Sequence, residues 1–565
     1  MCSRSARCAS RSCVPTRAGC TSCWSKKCRR RRPTLATEAR VTARAGAARR
    51  HATSLLLPAA LAAGACNVFA FAPFGFWPLQ ILLLAILFRL LHGATSVRQS
   101  AALGIAYGWG WAVAGVHWLY VSMHHYGGMP SWMAALAVAL LALWIGLFAA
   151  FAGGATLWLR RRWHLSANLS LLLVAPALWA LGEWLRGWIF TGFPWLVSGY
   201  AHNTGALAGF APVVGVYGIG WLAALAAGAL ALLPENRKAA ALPVLLLAAG
   251  WGLQAVSWTE PHGSPIAVRL LQGNVPQEMK FERERIADTL ADYAFMIRQQ
   301  PADLIATPET ALPLLSSQLP EDYLPRLAAF ARDSGSHVVI GLPISDGPGR
   351  YANSVLGFAP KPGAAGTEAP YRYDKHHLVP FGEFIPPGFR WFVDMMRIPL
   401  GDFTRGTPLQ APFQVKDQWV LPNICYEDLF GEEIADQLAA GHFGKIPQAS
   451  VLLNVSNIAW FGDTNALPQH LQISQMRSLE TGRPMLRATN TGATAIIDHK
   501  GRVTAQLVPF SKDVLAARVQ GYTGATPYIL LGNGPIMLLA LLALPLARFL
   551  RWKKAGKPPE AGKNR

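Results

Sequence analysis

The sequence predicts a polytopic membrane protein of about eight α-helical spans that carries one globular α/β domain. Charged residues make up only 15% of the 565-residue chain, and its mean hydropathy is +0.25; soluble domains have roughly 25% charged residues. Near-uncharged apolar runs of the ~20 residues that cross a bilayer lie within about 54–257 and 528–549. The stretch between them, about 264–525, has an ordinary globular composition and is long enough for one sizeable core.

The N-terminal segment 1–52 differs from the rest of the chain. It holds 14 Lys and Arg, one acid and six of the eight cysteines. Because it has few large apolar residues, we expect a disordered basic tail. Zinc binding at Cys20 and Cys23 is the alternative, although no second well-spaced cysteine pair completes such a site. No feature calls for a nucleic-acid partner.

Seven candidate spans precede the globular stretch and one follows it. They cover about 54–72, 76–91, 101–121, 131–158, 167–186, 206–233, 239–257 and 528–549. Basic residues follow the second, fourth, sixth and eighth spans. By the positive-inside rule these loops and both termini are cytoplasmic, so the globular domain lies on the opposite face. The predicted domains are the tail 1–52, a seven-span domain 53–258, a catalytic domain 264–525, an eighth helix 527–550 and a basic cytoplasmic tail 551–565.

Strand-like and helical patterns alternate through the globular stretch. The strand-like segments are 266–275, 303–307, 338–342, 354–358, 419–425, 451–455 and 495–498. The amphipathic helical patterns cover 282–298, 322–334 and 467–480. This alternation predicts a layered α/β domain.

Three chemically reactive side chains follow strand-like segments. Cys425 ends an apolar run, and no other cysteine occurs after Cys66; such a thiol is either an inert core residue or a nucleophile. Glu309 is a candidate base for it. Lys375 is a candidate cation that favours the thiolate and stabilises an oxyanion. Glu383, eight residues further on, is a candidate to orient the lysine.

Each of these residues also has an ordinary structural interpretation. Glu309 is well placed to cap a helix, and Lys375 alone is typical of a solvated charge. His376 and His377 adjoin the lysine and are weaker alternative bases. The combination in this order favours catalysis.

The combination resembles the nitrilase superfamily, and more specifically the apolipoprotein N-acyltransferase family. The motifs that carry the resemblance are Gln272-Gly-Asn-Val-Pro-Gln, Pro308-Glu-Thr, Asp374-Lys-His-His-Leu-Val-Pro-Phe-Gly-Glu-Phe, Asn423-Ile-Cys-Tyr-Glu, Asn454-Val-Ser-Asn, Arg487-Ala-Thr-Asn-Thr-Gly, Glu183-Trp-Leu-Arg-Gly and Gly192-Phe-Pro-Trp. The resemblance implies an extracytoplasmic α-β-β-α sandwich. It also implies residence in the bacterial inner membrane with this domain on the periplasmic face.

The resemblance also implies roles for residues. Cys425 is then the acylated nucleophile, Glu309 the proton acceptor and Lys375 the oxyanion partner. Supporting positions are Glu383, Tyr426 and Glu427. Expected substrate-binding positions are Phe281, which stands where the family usually has tryptophan, and Asn353, Trp391 and Phe392. Part of 384–403 is expected to dip into the membrane and admit acyl chains, with packing in the core as the alternative.

The implied reaction is a two-step acyl transfer from a membrane phospholipid, through a thioester on Cys425, to the α-amine of a lipoprotein's diacylglyceryl-cysteine. The resemblance implies no metal or cofactor, and a monomer is expected. Two alternatives remain. One is a membrane-anchored amidase of the nitrilase type; the other is a transporter, for which Glu183 and Arg186 in the fifth span are the candidate intramembrane charges. These two side chains are also expected to pair with each other.

Overall fold

The computed structural model describes residues 55–280, 282–360, 370–393 and 402–555. The predicted tail 1–52 lies outside the described residues, as does most of the tail 551–565. The domain boundaries between these parts stay a prediction. The remaining description concerns the membrane helices and the sandwich, which form one compact unit.

Helices occur at all eight predicted spans. They are α1 (Leu56–Cys66), α2 (Pro78–Gly93), α3 (Val97–Val116), α4 (Ser131–Arg162), α5 (Ala175–Arg186), α6 (Ala211–Leu232), α7 (Ala241–Leu253) and, after the globular domain, α12 (Gly534–Ala555). Among the described residues four helical segments are long and apolar enough to cross a membrane: Ser131–Arg162, Ala167–Arg186, Ala206–Leu232 and Gly534–Lys554. The count of eight spans stays a prediction.

Local sequence explains where several of these helices begin and end. The Ser96 hydroxyl accepts a hydrogen bond from the Gln99 backbone and caps α3. Pro78 begins α2, where its missing N–H is not needed. The run Arg160–Arg161–Arg162 ends α4, where cations interact favourably with the helix dipole.

The globular domain is built on two six-stranded sheets. Their strands are β1 (Thr259–Gln272), β2 (Leu304–Ala306), β3 (His337–Ser345), β4 (Tyr351–Phe358), β5 (Tyr371–Asp374), β6 (Phe413–Val415), β7 (Gln418–Ile424), β8 (Val451–Ser456), β9 (Met485–Thr489), β10 (Ala495–Ile497), β11 (Val503–Gln506) and β12 (Asp513–Gly524). The first sheet has the order β12-β1-β2-β3-β4-β5 and the second β11-β10-β9-β8-β7-β6. Strands β1–β3 and β7–β9 are parallel neighbours, so their carboxyl ends share an edge of each sheet.

A helical layer covers the outer face of each sheet, which confirms the predicted sandwich. The core between the sheets includes Val268, Val339, Ile424 and Leu453. Helices α8 (Arg283–Arg298) and α9 (Tyr323–Ser334) share a separate core with the first sheet. Helices α10 (Gly431–His442) and α11 (Ala466–Thr481) cover the second sheet, and their core is continuous with that of the membrane helices.

Helix α11 also fixes a break in membrane helix α6. Gly215 has φ +63 there, which interrupts the helix. The Val216 N–H donates to the Glu480 carboxylate at 2.7 Å, and Arg477 pairs with that carboxylate at 2.9 Å. A carboxylate of the globular domain therefore satisfies backbone of the membrane domain, as a buried polar group requires.

Candidate active site

The three predicted reactive side chains lie at the ends of strands from both sheets. Glu309 follows β2 and Lys375 follows β5 of the first sheet, while Cys425 follows β7 of the second. The local sequence explains the placement of Glu309 and Cys425, because β2 and β7 are buried runs that end in polar residues. Strand β5, before Lys375, is polar and only partly buried. Since the two sheets face each other, the three segments converge at one edge of the sandwich.

A shared hydrogen-bond network joins the acid and the amine. Lys375 Nζ lies 3.2 Å from Glu309 Oε1 and 2.8 Å from Glu383 Oε1. Asn353 Nδ2 donates to the same two oxygens at 2.7 Å each. The second oxygen of Glu309 accepts the Asn457 N–H at 2.8 Å, from the loop after β8. The Glu309 carboxylate is thereby held from both sheets.

Charge and burial fix the resting protonation of the pair. Burial alone would raise the pKa of Glu309, but the Lys375 ammonium and the hydrogen bonds from Asn353 and Asn457 lower it below its usual value. Burial alone would lower the pKa of Lys375, but the carboxylates of Glu309 and Glu383 raise it. A carboxylate and an ammonium therefore stand side by side in a buried site.

The thiol of Cys425 rests in its neutral form. Burial raises the pKa of Cys425, the Glu309 carboxylate raises it further, and Lys375 opposes them without prevailing. The sequence suggested that the lysine would favour the thiolate; burial and the carboxylate outweigh it. A neutral thiol beside a carboxylate is an arrangement suited to attack assisted by a general base. Cys425 also has φ +53, in the left-handed region that non-glycine residues seldom adopt.

Glu427 and Tyr426 connect this site to its surroundings. The Glu427 carboxylate accepts the N–H groups of Ile424 and His376, both at 2.6 Å, which ties the lysine loop to strand β7. Burial raises the pKa of Glu427 to about 7. The Tyr426 hydroxyl donates to the Gly192 carbonyl at 2.9 Å, in the loop after α5.

The loop after α5 is held by the two charged residues of that helix. Glu183 accepts hydrogen bonds from the N–H and hydroxyl of Ser198, and Arg186 donates to the carbonyls of Phe193 and Trp195. These contacts correct the expectation that the two side chains pair with each other. The loop that directly follows α5 offers each of them several partners.

The alternative bases His376 and His377 bond elsewhere. His376 Nδ1 contacts the Gly406 carbonyl, and both ring nitrogens of His377 contact Glu433 and Thr191. These contacts occupy three of their four ring nitrogens away from the thiol. Glu309 is therefore the better-placed base.

His470 is a neighbour of the thiol that sequence reasoning missed. Arg487 has only donors, so its 2.8 Å contact makes His470 Nδ1 the acceptor. Burial and Arg487 lower the pKa of His470, so the ring is neutral and Nε2 carries the proton. That Nε2–H donates to the Cys425 carbonyl at 3.2 Å. The ring also stacks on Trp195, with centroids 5.7 Å apart.

Lys280 is a second missed residue. It is 2% exposed, and its Nζ lies 3.4 Å from the backbone oxygen of Glu309. Burial lowers the pKa of Lys280 to about 8, although Glu309 and Cys425 oppose this. The family resemblance placed Lys280 in the opening motif, directly before Phe281, but gave the lysine itself no role.

The four expected substrate-binding residues have different outcomes. Asn353 binds the carboxylates of Glu309 and Glu383 with its amide N–H₂ group, and Trp391 is 63% exposed. Phe281 and the side chain of Phe392 lie outside the described residues. Of the predicted lipid loop 384–403, Phe389 and Trp391 are exposed and residues 394–401 lie outside the description. The substrate-binding roles stay predictions.

Two family models match the chain in order. The apolipoprotein N-acyltransferase N-terminal domain matches residues 63–229, and the carbon-nitrogen hydrolase family matches 267–528. A protein of Ralstonia nicotianae named apolipoprotein N-acyltransferase is 50% identical over 88% of this chain and 94% of its own length. The chain belongs to the apolipoprotein N-acyltransferase family.

Further apolipoprotein N-acyltransferases support the assignment. One from Nitrosomonas europaea is 46% identical over 87% of this chain and 97% of its own length. Among solved structures, a carbon-nitrogen hydrolase from Helicobacter pylori covers 53% of this chain and all of its own, with 17% identity and a TM-score of 0.32. Membership of the apolipoprotein N-acyltransferase family and the apolar helices together make this a membrane protein.

Proposed function

We propose that the protein transfers a fatty acyl chain from a phospholipid, through a thioester on Cys425, to the α-amine of a diacylglyceryl-cysteine at a lipoprotein N-terminus. The observation that carries the proposal is the convergence of Glu309, Lys375 and Cys425 beside the membrane helices. A lipid substrate explains why a nitrilase-like site is built into a membrane protein.

In the first half-reaction Glu309 takes the proton of Cys425 as the sulfur attacks the ester carbon. The ammonium of Lys375 stabilises the oxyanion of the tetrahedral intermediate. The ester C–O bond then breaks, and the lysophospholipid oxygen receives the proton from Glu309. The high pKa of Lys375 keeps its charge available throughout.

In the second half-reaction the acceptor amine attacks the thioester carbon. Glu309 takes a proton from the amine, the C–S bond breaks, and the proton returns to the sulfur. The result is an N-acylated lipoprotein and a free thiol. This two-step cycle needs the same base twice, and the contacts of Glu309 with both sheets keep it in one position.

Exposed apolar side chains support access for lipid. Trp188, Ile189 and Phe190 are exposed in the loop whose Thr191 and Gly192 carbonyls contact the catalytic domain. A run of exposed aromatic and apolar residues beside membrane helices suits the bilayer interface. Because basic residues follow the second, fourth, sixth and eighth spans, we assign the catalytic domain to the periplasmic face of the inner membrane, and the termini to the cytoplasm.

Mass spectrometry of the protein after incubation with phospholipid tests the nucleophile and the donor together. We expect an acyl adduct on the peptide containing Cys425, and none in Cys425→Ala, whose turnover should fall at least ~10³-fold. Cys66→Ala is the matched control, since Cys66 is the other free cysteine among the described residues. An active Cys425→Ala protein contradicts covalent catalysis.

Adding the acceptor distinguishes acyl transfer from the amidase alternative. A diacylglyceryl-cysteine peptide should discharge the adduct and appear as an N-acyl product. Discharge to free fatty acid, with no acylated peptide, would instead favour hydrolysis.

A further inference from the structure

A cleft of about 470 Å³ lies where the globular domain meets the membrane helices. Its apolar side includes Ala208 and Pro212 beside α6 and Leu253 and Val256 at the end of α7. Helix α11 contributes Gln475 and Leu479. The chain passes between the membrane helices and the globular domain twice, at 257–259 and at Thr526, and both connections line the cleft. None of the catalytic residues described above does.

The β10–β11 turn supplies the cationic side of the cleft through Lys500 and Arg502, with His499 beside them. The turn is firmly attached. Asp498 Oδ1 accepts the N–H groups of Lys500 at 2.9 Å and Arg502 at 2.8 Å. Gln475 of α11 donates to the Gly501 carbonyl at 2.9 Å, and the His499 ring stacks on Tyr522 at 3.8 Å.

The charges that line the cleft are of one sign. No Asp or Glu occurs among the described residues that line it. Three acids adjoin lining residues in sequence: Asp498 accepts backbone N–H groups of the turn, Glu480 pairs with Arg477, and Glu260 is exposed on β1. Trp258 also lines the cleft, and its buried indole N–H has no hydrogen-bond partner among the described residues. Two cations, with no acid among the lining residues, suit an anion.

We propose that this cleft binds the headgroup and first acyl carbons of an anionic phospholipid. The phosphate contacts Lys500 and Arg502, and the acyl chains follow the apolar side toward α6 and α7. Free phosphate matches only the cationic side, since the opposite side offers it no partner. This lipid site is separate from the Cys425 thiol. Leu479 lines the cleft, whereas His470 contacts the Cys425 backbone. The two residues are nine positions apart on α11, which is about 13 Å at 1.5 Å per residue. The proposal does not depend on the proposed function.

Native mass spectrometry of the detergent-purified full chain tests the site. The probe is dioleoylphosphatidylglycerol, with dioleoylphosphatidylcholine and inorganic phosphate as separate arms. We expect wild type to retain one phosphatidylglycerol, and Lys500→Glu with Arg502→Glu to retain at least tenfold less of it. Lys500→Gln with Arg502→Gln should give an intermediate loss. Arg285→Glu with Arg332→Glu reverses two exposed charges on α8 and α9 and should retain lipid as wild type does.

Two further readouts separate this site from the acyl-donor site. Phosphatidylglycerol carrying a diazirine near its headgroup should label the peptides around 253–259 and 499–503. Thioester formation on Cys425 in detergent should stay within twofold of wild type in the Lys500 and Arg502 variants. Equal retention by the charge-reversed variant, equal retention of phosphatidylcholine by wild type, or equal thermal stabilisation by phosphate would each overturn the proposal.

Discussion

The two helical layers of the sandwich look alike in outline but face different surroundings. Thirteen of the 16 residues of α11 are buried, against two of the 12 residues of α9. Helix α9 packs one face on its sheet and exposes the other, as an amphipathic helix does. Helix α11 lies between the second sheet and the membrane helices. The outer layer, α8 and α9, only completes a core. The inner layer, α10 and α11, also connects the membrane domain to the Cys425 thiol.

This difference explains the polar residues of α11. A polar group buried without a partner costs free energy, so a helix buried on all sides can hold polar side chains only where partners exist. Gln469 accepts the indole N–H of Trp195, His470 contacts the Cys425 carbonyl, and Glu480 accepts the Val216 N–H. These three polar residues of α11 thus each fix a part of the membrane domain or of the active site.

The largest difference in stability is expected between breaking a buried ion pair on the inner side of the sandwich and breaking an exposed one on the outer side. Arg487 and Asp428 are both fully buried on the inner side, 3.2 Å apart. Arg487→Met leaves Asp428 charged without its partner, which should cost roughly 3–5 kcal/mol. The thermal unfolding midpoint of the detergent-solubilised protein measures this. Lys512→Met, which breaks the exposed Lys512–Asp292 pair at 2.7 Å, is the control and should cost under ~1 kcal/mol. Equal losses would remove the distinction between the layers.

Lys280 lies after β1 of the first sheet, yet it is as buried as the polar residues on the membrane side of the sandwich. Its folded pKa of about 8 lies below the ordinary 10.5. Between these pH values the unfolded chain binds more protons, so folded stability rises with pH through that window. Below pH 8 the buried charge costs on the order of 3 kcal/mol. Lys280→Met should therefore be more stable than wild type below pH 8, and its stability should lose the rise from pH 8 to 10.

The same substitution should slow thioester formation. The Lys280 cation interacts with both Cys425 and Glu309, so its loss removes positive charge from the reacting groups. A gain in stability with a loss of activity is typical of a residue kept for function. A less stable and fully active Lys280→Met protein would show that the lysine is a structural residue.

His470 allows the connection between α11 and the thiol to be tested atom by atom. In His470→Gln the amide can donate from the position of Nε2, and it should keep the Cys425 carbonyl in place. In His470→Asn the shorter side chain can accept from Arg487 but does not reach that carbonyl. We expect thioester formation within about fivefold of wild type for Gln and about 10–100-fold slower for Asn, which corresponds to about 1.4–2.7 kcal/mol.

Stability serves as the control for this pair of variants. Gln loses the charge-assisted bond from Arg487 and Asn loses the weaker neutral bond to the Cys425 carbonyl, so Gln should be the less stable variant although it is the more active one. If Asn and Gln slow the reaction equally, His470 acts only through packing.

Local sequence was sufficient for residues that follow a buried strand and insufficient for those that depend on distant contacts. Glu309 and Cys425 each follow a run of apolar residues, so pattern indicated them. Lys375 follows the polar segment Tyr371–Asp374, and its motif rather than apolar patterning indicated it. His470 lies in a helix whose partner Trp195 is 275 residues away, and the periodicity of 467–480 does not show that both faces are covered. The pairing of β1 with β12, which closes the first sheet across about 250 residues, carried no local signal either.

The smallest loss of stability should come from a substitution on the exposed face of α9. That face is therefore the reference against which the buried inner layer is compared. Asp322 and Arg326 lie one turn apart at 2.6 Å, with side chains 56% and 71% exposed. Such a pair contributes roughly 0.3–0.5 kcal/mol and is screened by salt. Arg326→Ala should therefore lower the free energy of unfolding by at most about 0.5 kcal/mol, and leave thioester formation unchanged. The difference from wild type should vanish in 1 M NaCl. A larger loss, or one that persists in salt, would mean that the outer layer also supports the site, and the two layers would then differ in degree only.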